Sequence, residues 1–278
     1  IERDAKKLKI DSKEVKKYSD YINWLKVLIF SPYNINFIKD GPNSRRKSIN
    51  MVISQYSTHY VNLLQKFNAV LKKRNFYLKN VDFSKDYSRY YFEILNDNYC
   101  VLAVDIAWIR SSFVKKLNKY LSEIYFEITG CEGLELKYIS NLKIDDTREK
   151  MLTSLKDELR NDFSREEKYG ITMLGIHRDD FIFFLKGKAM SIYGSQGQIR
   201  AAILSLKLAE TLIFKENDGE YPVLLLDDIF SELDVDKRNN LIKYILNGVQ
   251  TIITTTDIDL LDSRLVSNAK IFSVHDGM

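Results

Sequence analysis

Two aspartates stand side by side at the end of an unbroken apolar run, Val223-Leu224-Leu225-Leu226-Asp227-Asp228. Such a run reads as a strand of a buried parallel sheet, and it delivers its carboxylates at the strand's C-terminal end, where ligands sit in open α/β sheets. A first carboxylate there, Asp227, can hold Mg2+ through water, and a second, Asp228, can orient or deprotonate an attacking water. A cap on the next turn explains Asp228 equally well. Upstream, Gly194-Ser195-Gln196-Gly197-Gln198 precedes an apolar helix from Ile199 to about Lys215. A helix start offers unpaired N–H groups and positive dipole charge to a phosphate, its glycines allow close approach, and Ser195 adds a hydroxyl donor. Alone, it is also an ordinary Ser-capped helix. Downstream come Ser231-Glu232-Leu233-Asp234 and a strand ending in Thr254-Thr255-Thr256-Asp257, where a hydroxyl could reach a γ-phosphate.

The elements that must hold these residues follow from periodicity. Strands are expected at Val27 to Phe30, Glu135 to Ile139, Gly170 to Leu174, Asp180 to Leu185, Ala189 to Tyr193, Val249 to Thr254 and Lys270 to Val274, with a hairpin flanking Asp11-Ser12 at 6–10 and 13–17. Helices are expected at Tyr18 to Trp24, from Pro42 to about Leu71 as one helix or two joined near Ser57, at Tyr87 to Ile128, Thr147 to Phe163, Val235 to Leu246 and Ile258 to Leu265. Strand and helix alternate after residue 220, the signature of a parallel sheet. The predicted architecture is α/β, with a helical lobe at 42–165 inserted between 1–41 and 166–278.

Composition narrows the class. With 278 residues, 45% of them hydrophobic, the chain can bury a sizeable core. No run approaches the length of a membrane span and the first residues carry no signal-peptide pattern, so the expected compartment is the cytoplasm. Cys100 and Cys131 form no ligand spacing and are expected to be buried free thiols. Residues 1–80 hold 17 Lys/Arg against 6 Asp/Glu, a net of +11, while the remainder nets −7, giving the overall +4. A basic first third suits a binder of phosphate backbones, and Arg45-Arg46-Lys47 at the start of the helical lobe are candidate DNA contacts; solvated lysine faces give the same count.

In this order and spacing the motifs resemble those of the ATPase heads of the SMC group: signature loop, Walker B strand, D-loop and switch region. The nearer resemblance is to the RecF family of bacterial recombinational-repair ATPases. It is carried by Gly175-Ile176-His177-Arg178-Asp179-Asp180, by Gly194 to Gln198 with its helix running to Leu208-Ala209-Glu210, and by Leu224 to Asp228, Ser231 to Asp234 and Thr254 to Thr256. Phe30-Ser31-Pro32 and Gly41 to Arg46 also fit. Two departures stand out. Tyr33-Asn34 follow Ser-Pro where the family has acidic residues, and no G-x-x-x-x-G-K-[ST] phosphate loop occurs; the one glycine pair at that spacing, Gly170 and Gly175, continues into Ile176-His177.

The resemblance implies an incomplete P-loop NTPase of the ABC and SMC-head type whose cofactors are ATP and Mg2+. ATP would lie between two subunits, one supplying the phosphate loop with Asp227 as the magnesium-side carboxylate and Asp228 as the catalytic one. The other would supply Gly194, Ser195, Gln196, Gly197 and Gln198 in trans, with Ser231 and Asp234 of the D-loop; Thr255 and Thr256 would form the switch. The homodimer would clamp DNA at gaps or at single-strand/duplex junctions and help load recombinase with RecR and RecO, in repair, replication and the SOS response. Without a phosphate loop this stretch alone is expected not to hydrolyse ATP. Two other readings stay open: another SMC-like head, for which the helical lobe is too short to form the long coiled coil, and a non-catalytic DNA-binding or dimerisation module. His177 and Arg178 read either as nucleotide sensors or lobe ties, or as a satisfied histidine beside a structural Arg–Asp pair.

Overall fold

The computed structural model describes residues 9–10, 13–14, 24–246 and 248–274. The outer halves of the predicted hairpin, the helix from Tyr18 as far as residue 23, and His275 lie outside those residues. Within them β1 (Lys9–Ile10) pairs antiparallel with β2 (Lys13–Glu14), Lys9 opposite Glu14 and Ile10 opposite Lys13. Further strands are β3 (Val27–Phe30), β4 (Leu134–Ile139), β5 (Asp180–Leu185), β6 (Lys188–Ala189), β7 (Val223–Asp227) and β8 (Thr251–Thr254).

The chain divides into two compact units. The first takes in Asp40–Lys116 and Leu136–Ile182; the second takes in Leu25–Lys39, Leu117–Glu135 and the chain from Phe183 onward. Periodicity places a helical lobe at 42–165, whereas the units give 117–135 to the second and 166–182 to the first. No helix among the described residues is long and apolar enough to cross a membrane.

In the first unit, the stretch from Pro42 resolves into two helices, Pro42–Tyr56 and Thr58–Asn80. Ser57 breaks them: its backbone is extended, and its hydroxyl accepts from the Tyr60 N–H at 3.2 Å, capping the second helix. The helix Asp86–Thr129 opens in this unit, and Thr147 caps the helix Arg148–Asn161 through the Lys150 N–H. Gly170, left-handed at φ 65°, closes a short helix, Phe163–Tyr169. That overturns the strand predicted at Gly170 to Leu174. Its amides are taken by side chains instead of a ladder: Thr172 N–H donates to Asn75 Oδ1 at 2.8 Å and Met173 N–H to Glu166 Oε1 at 2.7 Å.

Two arginines lie in the centre of this unit. Arg74 spreads its guanidinium over Glu166 at 2.5 Å, Thr172 at 2.6 Å and Asn96 at 2.7 Å. Arg110 donates to Asp179 at 2.9 Å and to the Ile176 carbonyl at 2.8 Å. Burying a charge is tolerable only with such pairing, and removing either partner is far costlier than removing both.

In the second unit β3, β7 and β8 form a parallel sheet in the order β3-β7-β8. The register sets Leu28 beside Leu224, Phe30 beside Leu226 and Asp227 beside Thr254. The helix Gln196–Asp218, with 13 buried residues, packs against β3. Leu28, Phe30, Leu224 and Leu226 are buried on one side of the sheet. On the other, Ile29 is 54% and Ile252 56% exposed, flanking Leu225. An apolar run shows what a strand could bury and not what covers it, so the expectation of a sheet buried on both faces holds for one face.

Three predicted elements differ here. The return strand at Ala189 to Tyr193 stops at Ala189, because Gly194 N–H bonds back to the Met190 carbonyl at 3.0 Å and winds Met190–Tyr193 into a helical turn. The helix at Ile258 to Leu265 splits into a 3-10 turn, Ile258–Leu260, and a helix, Ser263–Ser267, each with its own aspartate cap, Asp257 and Asp262. No strand forms at Lys270 to Val274, where Ile271, Phe272 and Val274 are exposed and find no ladder among the described residues. Cys100 and Cys131 are free as expected, but Cys131 is exposed.

Candidate functional site

At the end of β7, parallel pairing brings Asp227 and Thr254 side by side, and the Thr254 hydroxyl donates to Asp227 Oδ1 at 2.7 Å. The Asp228 N–H extends the ladder to the Thr254 carbonyl at 3.1 Å and also approaches Thr254 Oγ1 at 3.2 Å. Directly after the strand, Asp228 adopts φ 48°, a left-handed backbone that aspartate tolerates better than most residues. Its Oδ1 is buried and has no hydrogen-bond partner among the described residues. An unsatisfied buried carboxylate oxygen is costly, so it fits a site completed by something outside this chain. Ser231 donates its hydroxyl to the Asp228 carbonyl at 2.9 Å and fixes the turn.

The remaining motif residues hold the local frame. Asp234 caps the helix Val235–Leu246 by accepting from the Lys237 N–H at 3.0 Å, and it also pairs with the Lys237 ammonium. Those contacts hold its carboxyl below the ordinary range. Thr255, predicted as a switch residue, donates to the Asp257 carbonyl at 2.9 Å and accepts from the Asp257 N–H at 3.2 Å, which makes it a turn-former here; Thr256 is exposed. The hydroxyl that meets the Asp227 carboxylate is that of Thr254. Counting register from the ends of the two apolar strands could have singled it out.

At the start of the helix Gln196–Asp218, Ser195 Oγ accepts from the Gln198 N–H at 3.3 Å, and Gln198 Oε1 accepts from the Ser195 N–H at 2.9 Å. This capping box is the plain reading of the segment. Its two glycines are not equivalent. A Cβ on Gly194 would come within 2.7 Å of the Met190 carbonyl oxygen, so the chain's own packing requires glycine there. A Cβ on Gly197 would meet nothing within 4 Å. Glycine in a helix costs up to about 1 kcal/mol relative to alanine, and packing among the described residues does not require it at Gly197.

Asn34, the second residue after Ser31-Pro32, accepts from the Ser31 N–H at 2.7 Å and caps the turn after β3; Tyr33 is exposed. The segment from Gly175 to Asp180 belongs to the first unit. Gly175 has φ 138°, and a Cβ there would sit 1.7 Å from the Tyr99 hydroxyl, which itself donates to the Leu174 carbonyl at 2.5 Å. His177 Nε2 lies 3.2 Å from the Thr172 carbonyl, and burial lowers its pKa to about 4. Asp179 joins Arg110, Tyr138 and Ser140. Asp180 takes Arg45 in a two-pronged pair at 2.6 and 2.8 Å. Arg45 also donates to the Asp40 carbonyl, and Arg46 to the Asp179 carbonyl and Asn43, while Lys47 is exposed. Among the described residues no three His, Cys, Asp or Glu side chains converge as a metal cage.

An α/β unit that ends a parallel strand in two carboxylates and carries a glycine-bearing helix start, in a chain that also has a helical lobe, has the fold of an ABC-type ATPase head. No protein-family model matches the chain. It is 37% identical over 277 residues to the DNA replication and repair protein RecF of Pediococcus pentosaceus, covering 99% of this chain and 74% of that protein. It is 38% identical over 282 residues to RecF of Ligilactobacillus salivarius, covering 100% and 74%. A solved structure of the recombination mediator protein RecF with ATP in the RecFOR pathway superposes with a TM-score of 0.81 at 33% identity, over 90% of this chain and 67% of that one. The chain belongs to the RecF family of DNA replication and repair proteins.

Proposed function

We propose that this chain carries the carboxylate and signature-loop parts of an ATP-dependent DNA clamp. The clamp closes as a homodimer at gaps or single-strand/duplex junctions and, with RecR and RecO, helps load recombinase. The observation behind the reading is the pair formed by Asp228, with its orphaned buried Oδ1, and Gly197, whose missing side chain nothing in the chain explains. In the proposed site Asp227, held by the Thr254 hydroxyl, binds Mg2+ through water. Asp228 accepts a hydrogen bond from the attacking water. Gly194 to Gln198 approach the phosphates bound by the partner subunit, Ser231 and Asp234 line the same interface, and Thr255 and Thr256 follow the carboxylates as the switch. Bound Mg2+ would offset charge on the phosphates. Arg45, Arg46 and Lys47 are proposed as DNA phosphate contacts, the two arginines through N–H groups left over from Asp40, Asn43, Asp179 and Asp180.

A second reading, a non-catalytic DNA-binding or dimerisation module, is favoured by the absence of a Walker A sequence from these residues. One comparison separates them. The chain alone and the same chain expressed with its upstream reading frame are assayed for Mg2+-dependent ATP hydrolysis, each with Asp228→Asn. The clamp reading expects turnover only with a phosphate loop present, and expects the substitution to abolish it while ATP still binds. Turnover that survives Asp228→Asn, or none in any form that contains a phosphate loop, would refute it.

A further inference from the structure

The helix Asp86–Thr129 opens with Tyr87, Tyr90, Tyr91 and Ile94, spaced i, i+3, i+4 and i+7, the interval at which a helix lays an apolar stripe against a core. Here the stripe faces outward: Tyr87 is 70% and Tyr90 69% exposed, and Tyr91 and Ile94 are exposed beside them. The helix Thr58–Asn80 adds exposed Phe76 and also Tyr77, whose ring stacks on Tyr91 with centroids 4.9 Å apart. The core at this end is formed by Leu78, Phe83 and Phe92 with Phe163 and half-buried Tyr77 packed against it, and the exposed rings of Phe76, Tyr87 and Tyr90 are not part of it.

Cations run through the same segment. Residues 72–91 hold six basic side chains, Lys72, Lys73, Arg74, Lys79, Lys85 and Arg89, against two acidic ones, Asp82 and Asp86. Of the six, Arg74 is buried on Glu166. Lys85 places its ammonium 6.0 Å from the centre of the Tyr87 ring, and Lys73 lies one turn before Phe76 and Tyr77. The nearby carboxylates on the tyrosine helix are Asp86, Glu93 and Asp97, and Asp97 is paired with Lys156 at 2.7 Å.

We infer that this aromatic and basic face binds single-stranded DNA, with bases stacked on Phe76, Tyr87 and Tyr90 and phosphates met by Lys73 and Lys85. Rings with ammonium groups set among them match a flexible polyanion whose every unit has a π-face, and such stacking tolerates any sequence. A duplex keeps its bases inside the stack and cannot use the rings. An apolar protein helix would use the rings and gain nothing from the cations. The inference rests on the DNA-clamp reading and gives it a strand to hold.

The test uses the chain as it stands. Binding of short labelled oligo(dT) and of a duplex is followed by anisotropy across a salt series, for wild type, for the triple variant Phe76→Ala/Tyr87→Ala/Tyr90→Ala, and for Lys73→Ala/Lys85→Ala. The three aromatics are exposed, and circular dichroism checks that the variant keeps its helices. The aromatic variant should lose about tenfold or more in oligo(dT) affinity while its duplex affinity and salt slope hold. The lysine variant should show a shallower salt slope with oligo(dT). Unchanged oligo(dT) affinity in the aromatic variant, or equal loss for duplex and single strand, overturns the inference. So does loss of binding to RecO or RecR with single-strand affinity intact, which would make the face a protein interface. Wild type that shows no single-strand binding removes this inference, while the clamp reading stands or falls separately on ATP hydrolysis by the form with a phosphate loop and its loss in Asp228→Asn.

Discussion

The hydroxyl of Thr254 donates to the carboxylate of Asp227 at 2.7 Å, across adjacent strands and 27 residues of sequence. The carboxylate proposed for the magnesium side is therefore oriented by the neighbouring strand before any ligand arrives. A hydrogen bond to a charged acceptor contributes roughly 1.5–3 kcal/mol. In a form with a phosphate loop, Thr254→Val should cost about tenfold or more in ATP hydrolysis, and Thr254→Ser should restore most of it. Equal rates for Val and Ser would show that the hydroxyl does not act on the carboxylate.

The two glycines of the helix start should separate cleanly. Gly194→Ala forces a Cβ against the Met190 carbonyl and should destabilise the chain by roughly 1–3 kcal/mol. Gly197→Ala enters open space at a helical position and should leave stability unchanged or raise it by up to about 1 kcal/mol. Urea unfolding of both variants measures the contrast; a destabilised Gly197→Ala would reveal an internal role for that glycine.

Ser195→Arg removes one capping hydroxyl and should cost about 1 kcal/mol of stability. If Ser195 meets a phosphate across the dimer, ATP-dependent dimerisation and hydrolysis should disappear together while each subunit still binds ATP. Sedimentation with ATP and Mg2+ reads the outcome, and a variant that dimerises normally would end the trans-acting proposal.

The Arg110–Asp179 pair predicts that a double replacement costs less than the single one. Arg110→Met leaves a buried carboxylate beside Tyr138 and Ser140 and should cost about 3–5 kcal/mol. Arg110→Met/Asp179→Leu should recover much of that loss, since the unpaired charge goes with it. A double variant no better than the single would place the cost in lost hydrogen bonds.

His177 makes the first unit sensitive to acid. Burial lowers its pKa from 6.5 to about 4, so the folded chain resists a proton that the unfolded chain accepts. Its contribution is complete above pH 6.5 and is lost as pH falls from 6.5 toward 4, amounting to up to about 3 kcal/mol. His177→Gln should flatten the difference in unfolding free energy between pH 7.5 and about 5. The same slope in variant and wild type would assign it to other groups.

Much of this was legible from residue order. The strand at Val27–Phe30, the helix at Val235–Leu246 and the strand at Asp180–Leu185 follow directly from periodicity, and Ser57 and Thr147 announce their helices because a hydroxyl cap is a local signal. The misses have non-local causes. Gly170 to Leu174 looks extended, but its amides are satisfied by Asn75 and Glu166, one of them about a hundred positions away. The bond from Thr254 to Asp227 was equally hidden, since it depends on which residue the register sets beside the carboxylate. The left-handed turn at Asp228 left no mark, since aspartate enters that region without glycine's warning.

The pairing of β3 with β7 joins Val27 to Val223, residues 196 positions apart. On a ribosome adding ~5–20 residues per second, β3 would wait roughly 10–40 s between its own synthesis and that of its partner strand. The first unit's helices, whose contacts are nearer in sequence, can settle during that interval. The strand bordering the carboxylates is thus made well before the partner it pairs with, and a chaperone that holds the nascent chain would find Ile29 and its neighbours open throughout the delay.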